Sequence, residues 1–315
     1  MMKRVPKIVV GDPLDETFFK LLRGKAFLVK AYELDQGGFA KLLKDADVVV
    51  VRSRRRLDRC TIDRAPRLKV IARAGVGLDN VDVDYAVKRG ITLLSTGDAS
   101  TEAVAELTIG LMIALARRIT ELDRKMKRGN WCKNSGVGVE LRGKTLGIIG
   151  LGRIGGRVAE LARVFGMRVV AYDPYVSREK AERLGVELKQ RLEDLLRESD
   201  FVSIHAVLTE ETEGLIGERE LRLMKPTAYL VNTARGAIVD EEALVRALEE
   251  GWIAGAALDV YEREPPSSRL AGLENVILTP HVGASTVEAQ KRIARVLAEK
   301  ILAALENIGE MGEAP

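Results

Sequence analysis

The run Thr145-Leu-Gly-Ile-Ile-Gly150-Leu-Gly152-Arg-Ile-Gly155 constrains this chain more than any other. A short β-rich stretch enters glycines spaced G-x-G-x-x-G, and a helical pattern follows over about 154–165. Gly150 permits the tight turn, Gly152 lets the backbone approach a pyrophosphate, and Gly155 lets the helix pack closely on the strand. The amides of Arg153 and Ile154 open a helix N-terminus, whose positive end suits an anion. Glycines at this spacing can mark a bare turn. Here a second strand pattern, Arg168-Val-Val-Ala-Tyr-Asp173, ends in an acid at the distance expected of a dinucleotide unit. Asp173 would accept hydrogen bonds from the adenosine ribose hydroxyls and repel a 2′-phosphate, which favours NAD over NADP.

Such a unit needs a parallel sheet, and the chain has the material for two. In its first third, β-rich runs at 7–10, 26–30, 48–52, 68–72 and 91–95 alternate with helical patterns at 16–22, 39–44 and 83–88. Strands alternating with helices imply parallel strands in a doubly wound layer. A second series follows at 145–149, 168–172, 201–205, 228–232, 255–260 and 276–278. Between the two lies a helical pattern from Thr101 to about Ile119, apolar almost throughout from Leu107 to Ala116. A helix of that kind must be buried nearly all round, in its own domain or against a second subunit. Residues 240–250 read as a helix with an acidic start and Gly251 just past its end.

Ser285, with Glu288 three residues on, predicts a capping box for a last helix whose apolar positions recur to Leu305. That helix has no sheet of its own and is expected to return to the first domain. The expected fold class is therefore α/β: two doubly wound parallel-sheet domains, a Rossmann nucleotide-binding domain inserted in a flavodoxin-like substrate domain. The expected bounds are 1–97 with 285–315 for the substrate domain and 98–284 for the nucleotide domain. A cleft between them is the expected ligand site.

Composition adds mostly exclusions. A chain of 315 residues can bury two cores. Lys+Arg 50 against Asp+Glu 46 leaves a net charge of +4, too mild to point to nucleic acid. Charges of both signs in such number suit a surface rich in ion pairs, as in heat-adapted proteins. Cys60 and Cys132 form neither a disulfide framework nor a metal-ligand spacing, so no metal is expected. The first ten residues lack the long apolar core of a secretory signal, and the apolar run at 107–116 is too short for a bilayer. No membrane partner is expected, and a reducing cytoplasm is the expected location.

The chemistry is expected at three later strand ends. His281, one of 2 histidines, lies in Val276-Ile-Leu-Thr-Pro-His-Val-Gly283. Arg235 lies in Leu230-Val-Asn-Thr-Ala-Arg-Gly236, and Glu264 in Leu258-Asp-Val-Tyr-Glu-Arg-Glu-Pro265. Any one of these alone reads as a structural residue. Together, behind a nucleotide fingerprint, they sit where ligands of open α/β sheets bind. His281 is the natural proton donor and acceptor for a carbonyl/hydroxyl pair. Glu264 would fix its ring and favour the imidazolium form. Arg235, a planar fork of donors, can hold an α-carboxylate and polarise the neighbouring carbonyl. Asp259 either accepts a hydrogen bond from the nicotinamide carboxamide or simply caps its strand end. His205 is structural or lines the adenosine side of the groove.

These residues, with Ala257-Leu-Asp-Val-Tyr-Glu-Arg-Glu-Pro265 and Leu278-Thr-Pro-His-Val-Gly-Ala-Ser285, resemble the D-isomer-specific 2-hydroxyacid dehydrogenases over nearly the whole chain. The resemblance implies NAD(P)-dependent interconversion of 2-hydroxy and 2-oxo acids, with Arg235, Glu264 and His281 as the catalytic set. It also implies a homodimer paired through the nucleotide domain, which would account for the apolar 101–119 helix. On the cofactor side it adds Ala206, Thr233, Ala234, Asp259, Gly283 and Ala284 to the glycine loop and Asp173.

Within the family, the stretches Val51-Arg-Ser53 with its following arginines, Arg73-Ala-Gly-Val-Gly-Leu-Asp-Asn-Val81 and His281-Val-Gly-Ala-Ser-Thr-Val-Glu-Ala-Gln290 are most similar to D-3-phosphoglycerate dehydrogenases. This implies that Gly75, Val76 and Gly77 offer amides to the substrate carboxylate. Arg52, Ser53, Arg54 and Arg56 would meet its phosphate, because a dianion needs such charge. The bland reading is a solvated basic loop; nucleic-acid binding lacks a wider basic face. A glyoxylate or hydroxypyruvate reductase, and a non-enzymatic NAD-sensing corepressor-like protein, are the alternatives. The chain departs from the family pattern at His205-Ala-Val-Leu208, where His-x-Pro-Leu is common, and near Gly97-Asp98, where a proline is common. Many phosphoglycerate dehydrogenases continue into a serine-sensing domain; with this sequence stopping at Pro315, feedback control by that route is not expected.

Overall fold

The computed structural model describes residues 4–307. They form two compact units: the first runs to Ser100 and resumes at Ala284, and the second is Thr101–Gly283.

The first unit holds β1 (Lys7–Val10), α1 (Glu16–Leu22), β2 (Phe27–Lys30), α2 (Gln36–Leu42), β3 (Val48–Val51), α3 (Arg59–Asp63), β4 (Val70–Arg73), α4 (Val83–Lys88) and β5 (Thr92–Ser95). Its five strands are all parallel, in the order β2-β1-β3-β4-β5, the flavodoxin-like winding. β3 is four valines, all buried, as a strand covered on both faces requires. Alternate side chains feed two cores. Ile8, Val10, Val48 and Val50 meet Phe18 and Leu22 on one face, while Val9, Val49 and Val51 meet Phe39, Leu43 and Ile62 on the other. Asp15, Asp35, Asp58 and Asp82 each accept an amide hydrogen bond at a helix start, which is why these short helices begin where they do.

The second unit opens with α5 (Thr101–Ala116) and α6 (Ile119–Lys127). It continues as β6 (Thr145–Ile149), α7 (Arg153–Val164), β7 (Arg168–Tyr172), α8 (Arg178–Arg183), β8 (Glu187–Leu188), α9 (Leu192–Glu198) and β9 (Phe201–Ile204). It closes with α10 (Glu218–Leu223), β10 (Tyr229–Asn232), α11 (Glu241–Glu249), β11 (Gly255–Leu258), α12 (Ser268–Ala271) and β12 (Val276–Leu278). The parallel sheet runs β12-β11-β10-β9-β6-β7-β8, so the strand order reverses between β6 and β9. Ligands of such sheets bind beside that reversal, at the carboxyl ends of the strands.

The final helix, α13 (Val287–Asn307), belongs to the first unit, as its lack of a sheet implied. Ile293, Leu297 and Ile301 are buried in the core with Phe18 and Leu22. Each such side chain contributes roughly 1.5–3 kcal/mol by leaving water.

Two local expectations are corrected. The helix expected from Thr101 to Ile119 ends at Ala116, because Arg118 takes a left-handed φ of 52° and α6 starts afresh after it. Nearly all the apolar face of α5 is also buried within its own unit, on α7, β10 and β11. A partner is therefore not needed to explain that run. The last helix is capped by Thr286, not Ser285: its hydroxyl accepts the Ala289 amide at 3.1 Å.

Candidate active site

In the second unit, β6 runs directly into the glycine loop. Gly150 has φ 90°, and a Cβ there would lie 2.6 Å from the Ala206 nitrogen, so no other residue fits this turn. At Gly155 a Cβ would stand 2.1 Å from the Gly150 carbonyl oxygen, so glycine is what lets α7 start so close to β6. Gly152 differs, because no atom lies within 4 Å of the place its Cβ would occupy. The loop is thus tight on its protein side and open outside. Gly152 is the N-cap of α7 without a side-chain cap, which leaves first-turn amides, those of Arg153 and Ile154 among them, for an anion.

Asp173 follows β7 and is fixed by two backbone amides. Its Oδ2 accepts from Leu151 at 2.8 Å and its Oδ1 from Tyr175 at 2.9 Å. Lys180, nearby in the chain, gives its ammonium to the Leu151 carbonyl at 3.0 Å. A groove of about 660 Å³ runs past Gly150, Gly152 and Asp173 to Ala206 and Glu211. An open anion cradle, a fixed carboxylate and a long groove fit a dinucleotide.

His205 lines this groove. Its Nε2 lies 2.8 Å from the Ser203 hydroxyl, and its buried Nδ1 has no partner among the described residues. Burial pushes its pKa down to about 3, so the ring is neutral near pH 7.

The strand ends carry the other groups. At the end of β10, the buried Asn232 side chain donates to the Arg235 carbonyl at 2.8 Å and accepts from the Ala234 amide at 3.0 Å. It thereby shapes the loop that carries Arg235, whose Nη1 donates to the Ala234 carbonyl at 2.7 Å. Thr233 meets Thr108 of α5 at 2.9 Å. Since Thr108 donates to the Val104 carbonyl, Thr233 is the donor of that pair. Gly236 lets this loop lie on the segment after β11: a Cβ there would fall 1.9 Å from the Tyr261 carbonyl carbon. The Tyr261 hydroxyl donates to the Thr279 carbonyl at 2.7 Å, and burial, then the Asp259 charge, push its pKa up to about 12.

Asp259 is buried and engaged by the chain itself. Its Oδ1 accepts from the Thr279 hydroxyl at 2.6 Å and the Val282 amide at 2.8 Å, and its Oδ2 accepts from the Gly283 amide at 2.8 Å. The strand-end cap is therefore present, and a carboxylate's remaining lone pair is all it can offer a ligand. Between these anchors His281 takes a left-handed φ of 53°. Its Nδ1 lies 2.6 Å from Glu264 Oε1, with both side chains partly exposed. With Nδ1 on the carboxylate, Nε2 is the nitrogen left to face a reacting group.

In the first unit, the basic loop after β3 divides by function. Arg55 turns inward, donating to the carbonyls of Gly11, Ala31 and Leu34 at 3.0, 2.9 and 2.6 Å. It is a brace of the fold, unlike the exposed arginines on either side of it. Arg52 is half-buried. Asp12 accepts its amide at 2.6 Å, its Nη1 donates to Gln290 at 2.9 Å, and burial holds its pKa below the ordinary arginine value against the pull of Asp12. Ser53, Arg54 and Arg56 are exposed. Asn80 reaches the Arg52 and Arg55 carbonyls at 2.8 and 2.5 Å and so ties this loop to the one after β4.

There Gly75 gives its amide to the Arg73 carbonyl at 2.9 Å, so it has none to offer a substrate. Val76 and Gly77 give theirs to no partner among the described residues. Ala284 accepts from the Gln290 side chain at 2.6 Å. Asn80, Asn232 and Gly236 are the positions that sequence reasoning missed. Asn232, the last residue of β10, carried the only local signal.

A family model described as D-isomer specific 2-hydroxyacid dehydrogenase, NAD binding domain, matches residues 109–283. The chain is 48% identical over 308 residues to the D-3-phosphoglycerate dehydrogenase of Methanocaldococcus jannaschii, covering 98% of this chain and 58% of that one. It is 49% identical over 269 residues to the glyoxylate reductase of Aeropyrum pernix, covering 82% of this chain and 80% of that one. The crystal structure of a glyoxylate reductase from Paecilomyes thermophila matches with a TM-score of 0.88 at 33% identity, covering 98% of this chain and 97% of that one. This chain thus spans little more than half the length of the archaeal phosphoglycerate enzyme.

Proposed function

The chain belongs to the D-isomer specific 2-hydroxyacid dehydrogenases, and from that membership we propose that it oxidises 3-phosphoglycerate with NAD, towards serine. The observation that supports this substrate lies in the first unit. Asn80 ties a loop with exposed Arg54 and Arg56 to a turn whose Val76 and Gly77 amides are open. Open amides suit a carboxylate, and clustered guanidinium groups suit a phosphate dianion. A substrate bearing a carboxylate alone gives Arg54 and Arg56 nothing to meet.

NAD, which the glycine loop and Asp173 would hold, would supply the hydride acceptor, and the remaining tasks fall to the chain. His281 Nε2 takes the proton of the C2 hydroxyl, and returns it in the reverse direction. Glu264 holds Nδ1–H, which fixes the tautomer and offsets the charge of the protonated ring. Arg235 clamps the carboxylate beside the reacting carbon. The glycine loop takes the pyrophosphate and Asp173 the ribose hydroxyls. Ala206, Thr233, Ala234, Asp259, Gly283 and Ala284 are the further cofactor contacts of this reading.

A second reading, reduction of glyoxylate or hydroxypyruvate, draws on the inward turn of Arg55 and the Arg52–Gln290 bond, which leave the loop less cationic than it reads. Steady-state rates separate the two. The first expects a higher kcat/KM for 3-phosphoglycerate oxidation than for D-glycerate oxidation. It also expects a loss of about tenfold or more for the phosphorylated substrate in an Arg54→Gln/Arg56→Gln double variant. A preference for glyoxylate, with the double variant unaffected, rejects it.

The proposal extends to a homodimer through the second unit. No residue of α6 is buried, and Trp131, Met126 and Ile119 are exposed, with a hollow of about 520 Å³ beside them. A second copy covering that apolar surface predicts twice the chain mass by light scattering and a monomer for Trp131→Glu; a wild-type monomer rejects it. No helix among the described residues is long and apolar enough to cross a membrane.

A further inference from the structure

We propose that Glu211 is a second carboxylate that selects NAD over NADP, held across the adenosine end of the groove by the Tyr175 hydroxyl. The inference rests on reading the groove as the dinucleotide site. It adds to Asp173 a residue distant in the chain that the β7 motif does not contain.

Asp173 is restrained in what it can do alone. Both its oxygens already accept backbone amides, and those amide dipoles offset part of its charge. The Tyr175 amide that Asp173 holds also fixes where the Tyr175 side chain begins. From there the phenol reaches Glu211 Oε2 at 2.5 Å. The hydrogen bond to Glu211, and then its charge, raise the pKa of that phenol, as expected of a hydroxyl donating to an ionised acid. Tyr175 and Glu211 belong to opposite walls: Asp173, Pro174 and Tyr175 follow β7, whereas Glu210 and Glu211 follow β9.

The wall that carries Glu211 is held independently of Tyr175. Thr212 donates its hydroxyl to the Val207 carbonyl at 2.6 Å and accepts the Thr209 amide at 2.8 Å. The Gly214 amide donates to the Ala237 carbonyl at 2.8 Å. Glu211 is therefore presented by a built loop. None of the residues lining the groove is a lysine or arginine, while Asp173, Glu210 and Glu211 all line it. A 2′-phosphate entering this end meets three carboxylates and no lining cation. Adenosine with a free 2′-hydroxyl brings no such charge and can donate to Asp173.

The test is fluorescence titration of NADH and NADPH with the wild type, Glu211→Gln, Asp173→Ser and the double variant. Gln at 211 keeps an acceptor for the Tyr175 hydroxyl and removes only the charge. The expected result is NADPH binding tightened about three- to tenfold by Glu211→Gln, NADH binding within about twofold, and multiplied effects in the double variant. Tyr175→Phe should shift the NADPH/NADH ratio in the same direction by less; a shift towards NADH overturns its positioning role. If Asp173→Ser changes the ratio and Glu211→Gln does not, the role of Glu211 is overturned and the site reading stands. If Asp173→Ser changes neither affinity, the site reading falls, and this proposal with it.

Discussion

Asp259 receives the backbone amide of Gly283 on one carboxylate oxygen and that of Val282 on the other, each at 2.8 Å. The residue before these two is His281, in a left-handed conformation that costs a side chain about 1 kcal/mol. The buried carboxylate is what keeps the imidazole in that conformation.

Asp259→Ala should therefore lower kcat about 10- to 100-fold, with a smaller change in KM, because the ring loses its aim before the substrate loses its clamps. Two orphaned amides should also cost on the order of 1–3 kcal/mol of stability. Urea denaturation beside steady-state kinetics checks both, and an unchanged kcat rejects the positioning role.

His281→Ala should reduce kcat about 100- to 10,000-fold and leave NADH affinity within about twofold. Glu264→Gln keeps an oxygen for Nδ1–H, so a milder loss, about tenfold, is expected. Equal losses in the two variants would mean that the carboxylate does more than orient the ring.

His205 provides a contrast in the same unit. Burial lowers its pKa to about 3, against an ordinary value of 6.5. The unfolded chain thus binds the extra proton between those values, and stability falls as pH drops below about 6.5, by up to about 1.4 kcal/mol per unit. His205→Gln should flatten that slope without moving the pH profile of kcat. Proton NMR of the wild type should show one imidazole that does not titrate between pH 5 and 8; titration of both rings contradicts this.

Glu121 has the same sign for a different reason and over a lower pH window. Arg118 first, and Lys125 second, hold its carboxyl down to about 2. A depressed carboxylate stabilises the fold above its unfolded value near 4.5, and that contribution fades as pH falls towards about 2. Glu121→Gln should cost on the order of 1 kcal/mol at pH 7 and much less at pH 2.5, measured by urea denaturation. A cost independent of pH would assign the loss to packing.

What could be read in advance depended on distance along the chain. Gly150 and Asp173 were readable because the loop and its acid sit on consecutive strands at a fixed spacing. That Glu264 and His281 would meet could be expected from their places after neighbouring parallel strands, and the structure sets them 2.6 Å apart. Arg55 was not readable, since its burial depends on carbonyls at positions 11, 31 and 34, which no local pattern reveals. Gly75 looked like an open amide until its own neighbour, Arg73, took the hydrogen bond. The break at Arg118 had no glycine or proline to announce it, and a left-handed arginine is unusual enough to escape any periodicity argument.

The core that α13 completes has a consequence for synthesis. Ile293, Leu297 and Ile301 pack with Ile8, Phe18 and Leu22, yet all of Thr101–Gly283 is translated between them. The first hundred residues leave the ribosome with an apolar sheet face uncovered, and they wait through the whole insertion before the helix that covers it exists. A nascent chain halted at Gly283 holds one finished unit and one unfinished one, and the exposed half is where a chaperone would bind.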